Sequence, residues 1–139
     1  MMSKPRDDIQ RVTSGAPWEE LVAYRRAVRV GDQVFVAGTV SVDAKGQPFA
    51  PGDPGAQTSQ CLEIIAQALD KAGSHISHVV RTRLYVTDMS PETQRAVGQA
   101  HRQVFAEFPP ASAMIGVAAL AAPEFIVEIE ADAVIPPGD

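Results

Sequence analysis

The sequence predicts an α+β domain of two layers, a β-sheet with two helices on one of its faces, and three observations carry the prediction. Two segments open on a capping residue followed by proline, Asp53-Pro54 and Ser90-Pro91, and continue with apolar residues at helical spacing. Around and between them lie β-branched runs bounded by Gly and Pro. The last run alternates, with Phe125, Val127, Ile129, Ala131 and Ala133 on one face and Ile126, Glu128, Glu130, Asp132 and Val134 on the other. The order is hairpin, helix, strand, helix, two strands. An apolar sheet face under two amphipathic helices buries both stripes at once.

Each element has its own signal. "IQRV" is a short strand, and "TSGAPWEELVAY" after it reads as a Gly/Pro-punctuated loop. "AVRVGDQVFVAGTVSV" is a hairpin about Gly31-Asp32. Alternation puts Val34, Val36 and Gly38 on one face of its second strand and Phe35 and Ala37 on the other. "DAKGQPFAPGDPG" is a loop. The first helix buries Cys61, Ile64, Ile65, Ala68, Leu69 and Ala72 and stops at Gly73. The strand Val79 to Thr87 places Arg81, Arg83 and Tyr85 on one face, and Val80, Thr82, Leu84 and Val86 on the other. The second helix buries Val97, Ala100, His101, Val104, Phe105 and Phe108 and ends at Pro109-Pro110. The stretch from Phe108 to Ile135 then holds two apolar runs suited to adjacent strands.

Bulk properties exclude several classes of function. At 139 residues the chain is expected to be one domain, residues 1–139, able to bury ~68–70% of its unfolded surface without a disulfide or metal staple. Seventeen acidic against twelve basic residues leave a net charge of −5, which argues against a nucleic-acid partner. Cys61 is the sole cysteine, so no intramolecular disulfide forms and a cytoplasmic setting is expected. "MMSKPRDDIQRV" has no apolar core of signal-peptide length, and no run approaches the ~20 apolar residues of a membrane span, so no membrane partner is expected.

No short catalytic motif stands out. His75 and His78 lack a third ligand and are expected to be loop histidines rather than a metal site. Cys61, on an apolar stripe, is expected in the core rather than as a nucleophile. His101 is expected to be packed and hydrogen-bonded, the other reading being a ring that reaches a cleft. Trp18 is expected to anchor its loop, the other reading being a lid over a ligand. The acids Glu128, Glu130 and Asp132 leave two readings open: a solvated face, or the wall of a pocket or subunit contact. A pocket wall of that kind calls for a nearby cation.

The pieces "YRRAVRVGDQVFVAGT", "SQCLEIIAQALDKAG", "HVVRTRLYVTDM", "AHRQVFAEFPPAS" and "VEIEADAV" follow one another at separations that resemble the RidA/YjgF/UK114 family of reactive-intermediate deaminases. No piece alone is diagnostic; their order is. The resemblance implies a chorismate-mutase-like, mixed-sheet fold assembled as a homotrimeric barrel, with small-metabolite sites in the clefts between subunits. It implies no cofactor and no metal. Tyr24 matches a tyrosine that precedes the first hairpin, and Gly38 matches a glycine that ends its second strand. Glu128 matches the glutamate that positions water or the imine.

At one position the match breaks down. The active deaminases carry an arginine after Pro-Ala to grip the substrate carboxylate with its bidentate fork. Here Ser112 follows Pro110-Ala111. Gly98 stands for an asparagine and Met114 for a cysteine that often lines the pocket. Arg83, Arg25 and Arg26 are candidate substitutes for the missing cation, each expected rather to pair with a surface acid. One reading is therefore an enzyme that hydrolyses an imine, enamine or related C–N bond but is poor with 2-imino acids. The alternative is a non-catalytic metabolite-binding or sensing trimer. A ribonuclease, an activity attributed to some relatives, is least expected, for want of a histidine pair placed for acid–base work.

Overall fold

The computed structural model describes residue 6 and residues 8–138. The polar start at residues 1–5, where no signal-peptide core was read, lies outside them. Three strands lead: β1 (Ile9–Val12), then the hairpin β2 (Ala27–Val30) and β3 (Gln33–Val40), turned by Gly31 at φ 61°. The long helix α2 (Pro54–Lys71) precedes β4 (Val79–Val86), and α3 (Pro91–Phe105) precedes β5 (Ala111–Gly116) and β6 (Val127–Val134). Both expected caps are made: Asp53 accepts from the Ala56 amide and Ser90 from the Thr93 amide. Gly73, at φ 81°, ends α2 in the left-handed conformation that its lack of Cβ permits. Arg29 donates to the Ala72 carbonyl at 2.8 Å, satisfying one of the free carbonyls at that end.

The six strands form one mixed sheet in the order β1-β2-β3-β6-β4-β5. This corrects the expectation of adjacent closing strands. β6 inserts between β3 and β4, antiparallel to both, and β5 lies parallel beside β4 at the edge. The reason is the connection: α3 carries the chain back along β4, and a parallel neighbour requires such a crossover. Two β-residues also change face. A register shift between Val79 and Arg81 leaves Val80 exposed, so Thr82, Leu84 and Val86 enter the core without it.

A further helix, α1 (Pro17–Val22), occupies the stretch read as a loop, and a 3-10 turn spans Ile76–His78. Trp18, Leu21 and Val22 on α1 are 65%, 77% and 60% exposed. Trp18 is therefore largely exposed rather than packed as an anchor among the described residues, contrary to expectation. Helices α2 and α3 cover one sheet face as expected, over a core that includes Val34, Val36, Leu62, Ile65, Phe105 and Ile129. No helix among the described residues is long and apolar enough to cross a membrane.

Gln57 fastens the site-bearing strand to this core. Fully buried, its amide nitrogen donates to the Ala50 and Glu124 carbonyls, and its oxygen accepts from the Ile126 and Val127 amides. One side chain thus fixes the first turn of α2, the loop before it and the entry to β6. Gln57→Leu fits the volume but orphans buried backbone groups, so it is expected to cost about 3 kcal/mol. Urea denaturation checks this as a lower midpoint at unchanged slope.

Candidate functional site

The site begins with an irregularity in β3. Between the pairs Val36↔Ala131 and Thr39↔Ile129 the register shifts, so Ala37 and Gly38 together face Glu130 on β6. The extra residue inverts the alternation: Thr39 and Ser41, not Gly38, continue the buried face. Gly38 was expected beside Val34 and Val36; the bulge turns it instead to the open face of the sheet. There a Cβ on Gly38 would lie 2.7 Å from Glu128 Oε2. Glycine lets the carboxylate settle against the backbone, where any side chain would displace it.

The cation that this carboxylate calls for is Arg26. Its guanidinium donates to the Gly38 carbonyl at 2.5 Å and lies over the Tyr24 ring, 5.9 Å from the centroid. Its Nε is enclosed and makes no hydrogen bond among the described residues. Burial lowers the Arg26 pKa, while Tyr24, Glu19 and Glu128 act against that shift. Burial likewise raises the Glu128 pKa, with Arg26 pulling it down and Glu130 pushing it up. Half-buried Glu128 thus holds its proton more tightly than an ordinary glutamate, as suits a group that must take and return one.

A second carboxylate, Glu19, also acts on the Arg26 charge. It is 1% exposed on α1 and accepts from the Thr13 hydroxyl at 2.8 Å and from the Ser14 amide and hydroxyl. Burial works against its charge, yet these bonds hold its pKa below the usual carboxylate range. No signal in the residues marks it, since Glu19 lies in the stretch expected to be a Gly/Pro-punctuated loop.

The other two arginines pair with acids as expected. Arg25 meets Glu20 at 3.2 Å, and Arg83 lies 3.4 Å from both Glu130 and Asp132. Tyr85 donates to Glu130 at 2.6 Å. A concavity of about 540 Å³ opens on this face, lined by Tyr24, Arg25, Phe35, Arg83, Glu130 and Asp132 among others. Glu128 stands outside that lining, one position along the same face of β6. The three acids therefore divide: Glu130 and Asp132 are engaged by Arg83 and Tyr85, and Glu128 makes no hydrogen bond among the described residues.

Ser112 lies elsewhere. Its hydroxyl accepts from Thr82 at 2.8 Å, and the same Thr82 oxygen is 2.9 Å from His101 Nε2 on α3. Thr82 is fully buried beneath the helices, so Ser112 and Met114 face the helix side of edge strand β5. Within one chain, Tyr24, Arg26, Gly38 and Glu128 come together, and Ser112 and Met114 stand apart from them. His101 packs on Phe105 at 4.6 Å, and burial lowers its pKa. It is thus packed and hydrogen-bonded, as expected.

The remaining candidates carry no chemistry here. Cys61 is fully buried, and burial pushes its thiol up to about 12. His75 is hydrogen-bonded to Ser77 and His78 to Ser74. Among the described residues no cluster of His, Cys, Asp or Glu has the makings of a metal site. A Cβ on Gly98 would meet nothing within 4 Å among the described residues, so its glycine answers no close contact there.

Comparison with known proteins follows the same architecture. The family model described as Endoribonuclease L-PSP matches residues 15–135. A RutC family protein of Pyrococcus horikoshii is 31% identical, over 86% of this chain and 91% of its own. The 2-iminobutanoate/2-iminopropanoate deaminase of Rattus norvegicus is 32% identical, over 88% of this chain and 86% of its own. A Mycobacterium tuberculosis protein, described as a member of the highly conserved YjgF/YER057c/UK114 family, superposes with a TM-score of 0.82 at 43% identity. That match covers 91% of this chain and 99% of the other.

The raised pKa of Glu128 has a thermodynamic signature. A carboxyl that holds its proton more tightly when folded costs stability above its folded pKa, and the cost vanishes below the pKa of an unfolded glutamate. Glu128→Gln keeps the shape and removes the charge. It is expected to stabilise the protein at about pH 7, with the gain fading toward about pH 4. Urea titrations at both pH values check it; a variant less stable at neutral pH would mean that attraction to Arg26 outweighs burial.

Proposed function

The chain belongs to the Endoribonuclease L-PSP family, which takes in the YjgF/RidA proteins, and on that premise we propose that it hydrolyses the C–N bond of a small imine or enamine. The sites lie between the subunits of a homotrimer. One observation carries the reading: a half-buried carboxylate of raised pKa, Glu128, seated on a glycine and flanked by a guanidinium that it does not bond. Solvated surface acids need none of these. Relatives named as deaminases of 2-iminobutanoate/2-iminopropanoate and of 3-aminoacrylate support the reaction class.

The chemistry balances without a cofactor. Glu128 accepts a proton from water as the water oxygen bonds to the imine carbon, and passes it to the imine nitrogen. The carbinolamine then collapses: Glu128 takes its hydroxyl proton and delivers it to the leaving nitrogen as the C–N bond breaks and the C=O bond forms. A carbonyl compound and ammonia depart. Tyr24 and Arg26 form the wall behind Glu128, and Arg26 limits how far burial raises the carboxyl pKa. Ser112 cannot reach Glu128 in its own chain, because the two face opposite sides of the sheet. A site that uses both is completed by a second copy.

Ser112 also shapes the substrate range. Its hydroxyl has no charge, so 2-imino acids lose the bidentate grip that an arginine gives their carboxylate. Ammonia release is the test, with imines generated in situ by an amino-acid oxidase. Glu128→Gln is expected to lower kcat by ~10²–10⁴. With 2-iminopropionate, kcat/KM should fall ~10²–10⁴ below that of an arginine-bearing relative. Turnover unchanged in Glu128→Gln would remove Glu128 from the reaction, and no ammonia release by the parent with any imine would overturn the reading in favour of a binding protein.

The assembly has its own check. Light scattering at micromolar concentration should give about three times the 14.8 kDa chain mass. A stable monomer would leave Ser112 and Glu128 in separate, unfinished sites.

A further inference from the structure

Thr82 is fully buried, and its hydroxyl has two polar neighbours, Ser112 Oγ at 2.8 Å and His101 Nε2 at 2.9 Å. A hydroxyl carries one hydrogen, so Thr82 donates to one neighbour and accepts from the other. No water competes at a position closed to solvent. The contact allows Thr82 to donate to Ser112, and a neutral imidazole favours its Nε2–H form, so the sense adopted runs from the His101 ring to Thr82 and from Thr82 to Ser112. Ser112, having accepted, keeps its own hydroxyl hydrogen for a group outside the chain. Ser112 is exposed on β5, and β5 is the sheet edge. Among the described residues no basic side chain bonds to it. Met114, two positions on along the same face, is apolar and half-buried against the core.

We infer that His101, acting through Thr82, is a positioning residue that turns the Ser112 hydroxyl outward as a donor, and that the site takes an imine or enamine bearing an uncharged carbonyl. This rests on the reading that Ser112 stands at the ligand site. A ketone or amide oxygen accepts one hydrogen bond and gives up little hydration in doing so. A carboxylate brings a full charge that one hydroxyl beside a methionine does not compensate. The tautomer matters because the relay works in one sense only. With the proton on Nδ1, Nε2 would accept from Thr82, Thr82 from Ser112, and Ser112 would present lone pairs to the ligand's lone pairs. His101 touches no substrate in this arrangement; it sets the direction in which Ser112 donates.

Nitrogen NMR of the ¹⁵N-histidine-labelled protein tests it, with pyruvamide as the uncharged probe and pyruvate as its charged counterpart. The chain has three histidines, so the His101 signals are assignable by single substitution. The free protein is expected to show His101 as the Nε2–H tautomer. Saturation with pyruvamide should move its ring-nitrogen shifts, and pyruvate should bind at least about tenfold more weakly. Thr82→Val should abolish the shift at His101, and Thr82→Ser, which restores the hydroxyl, should return it. Ser112→Ala, at an exposed position, gives the same loss should Thr82→Val fail to fold. An Nδ1–H tautomer, a shift that survives Thr82→Val, no response to pyruvamide, or pyruvate binding as tightly would each overturn the inference. The hydrolytic reading stands or falls separately, on ammonia release by the parent and by Glu128→Gln, which none of these measurements uses.

Discussion

A positive charge drawn partly out of water, on Arg26, constrains everything around the candidate site. A guanidinium cannot shed its proton, so its surroundings must supply negative potential or carbonyl oxygens. Here they supply both. Glu19 approaches from α1 and Glu128 from β6, the ring of Tyr24 offers its face, and the bulged backbone at Gly38 gives a carbonyl. Three separate features find a common cause in this one charge. Glu19 is buried on an otherwise exposed helix, β3 breaks its register, and Gly38 has no side chain. Remove the charge and Glu19 keeps its bonds from Thr13 and Ser14 but loses the cation that acts on it.

Much of the fold was legible because its signals are local. Asp53-Pro54 and Ser90-Pro91 mark helix starts by backbone hydrogen-bonding needs alone, and the alternation through Val127, Ile129 and Ala131 fixes which face of β6 is inside. The errors arose where one residue of register decides the outcome. Alternation carries through a strand only until a bulge, and the bulges at Gly38 and Val80 each moved a residue to the other face. A glycine inside a strand pattern is a recognised sign of a bulge or a close approach, so Gly38 did carry a signal. Val80, with a β-branched side chain, carried none. The place of β5 depends on how α3 returns the chain, which no short window of residues encodes.

The site was half legible for a related reason. Glu128 stood out because three acids alternate along an otherwise apolar strand. Arg26 was one of three candidate cations, each expected to pair with a surface acid, and nothing local separates it from Arg25, which does so with Glu20. The bond from Thr82 to both His101 and Ser112 joins residues 19 and 30 positions apart. Each looked ordinary alone: a core threonine, a packed histidine, a serine where a cation was expected. Their joint meaning comes from β4 and β5 lying side by side, with α3 above them.

The exposure of α1 has a practical consequence in spectroscopy. Trp18 is the only tryptophan in the chain, and it is 65% exposed. Its indole meets solvent both before and after the core of a lone subunit unfolds, so its emission is a poor witness to denaturation. The same ring lies six residues before Tyr24, which lines the concavity. Anything that covers α1, whether a neighbouring subunit or an occupant of the cleft, takes that indole out of water and shifts its emission to the blue. The chain carries its own optical label, and the label reads association rather than folding.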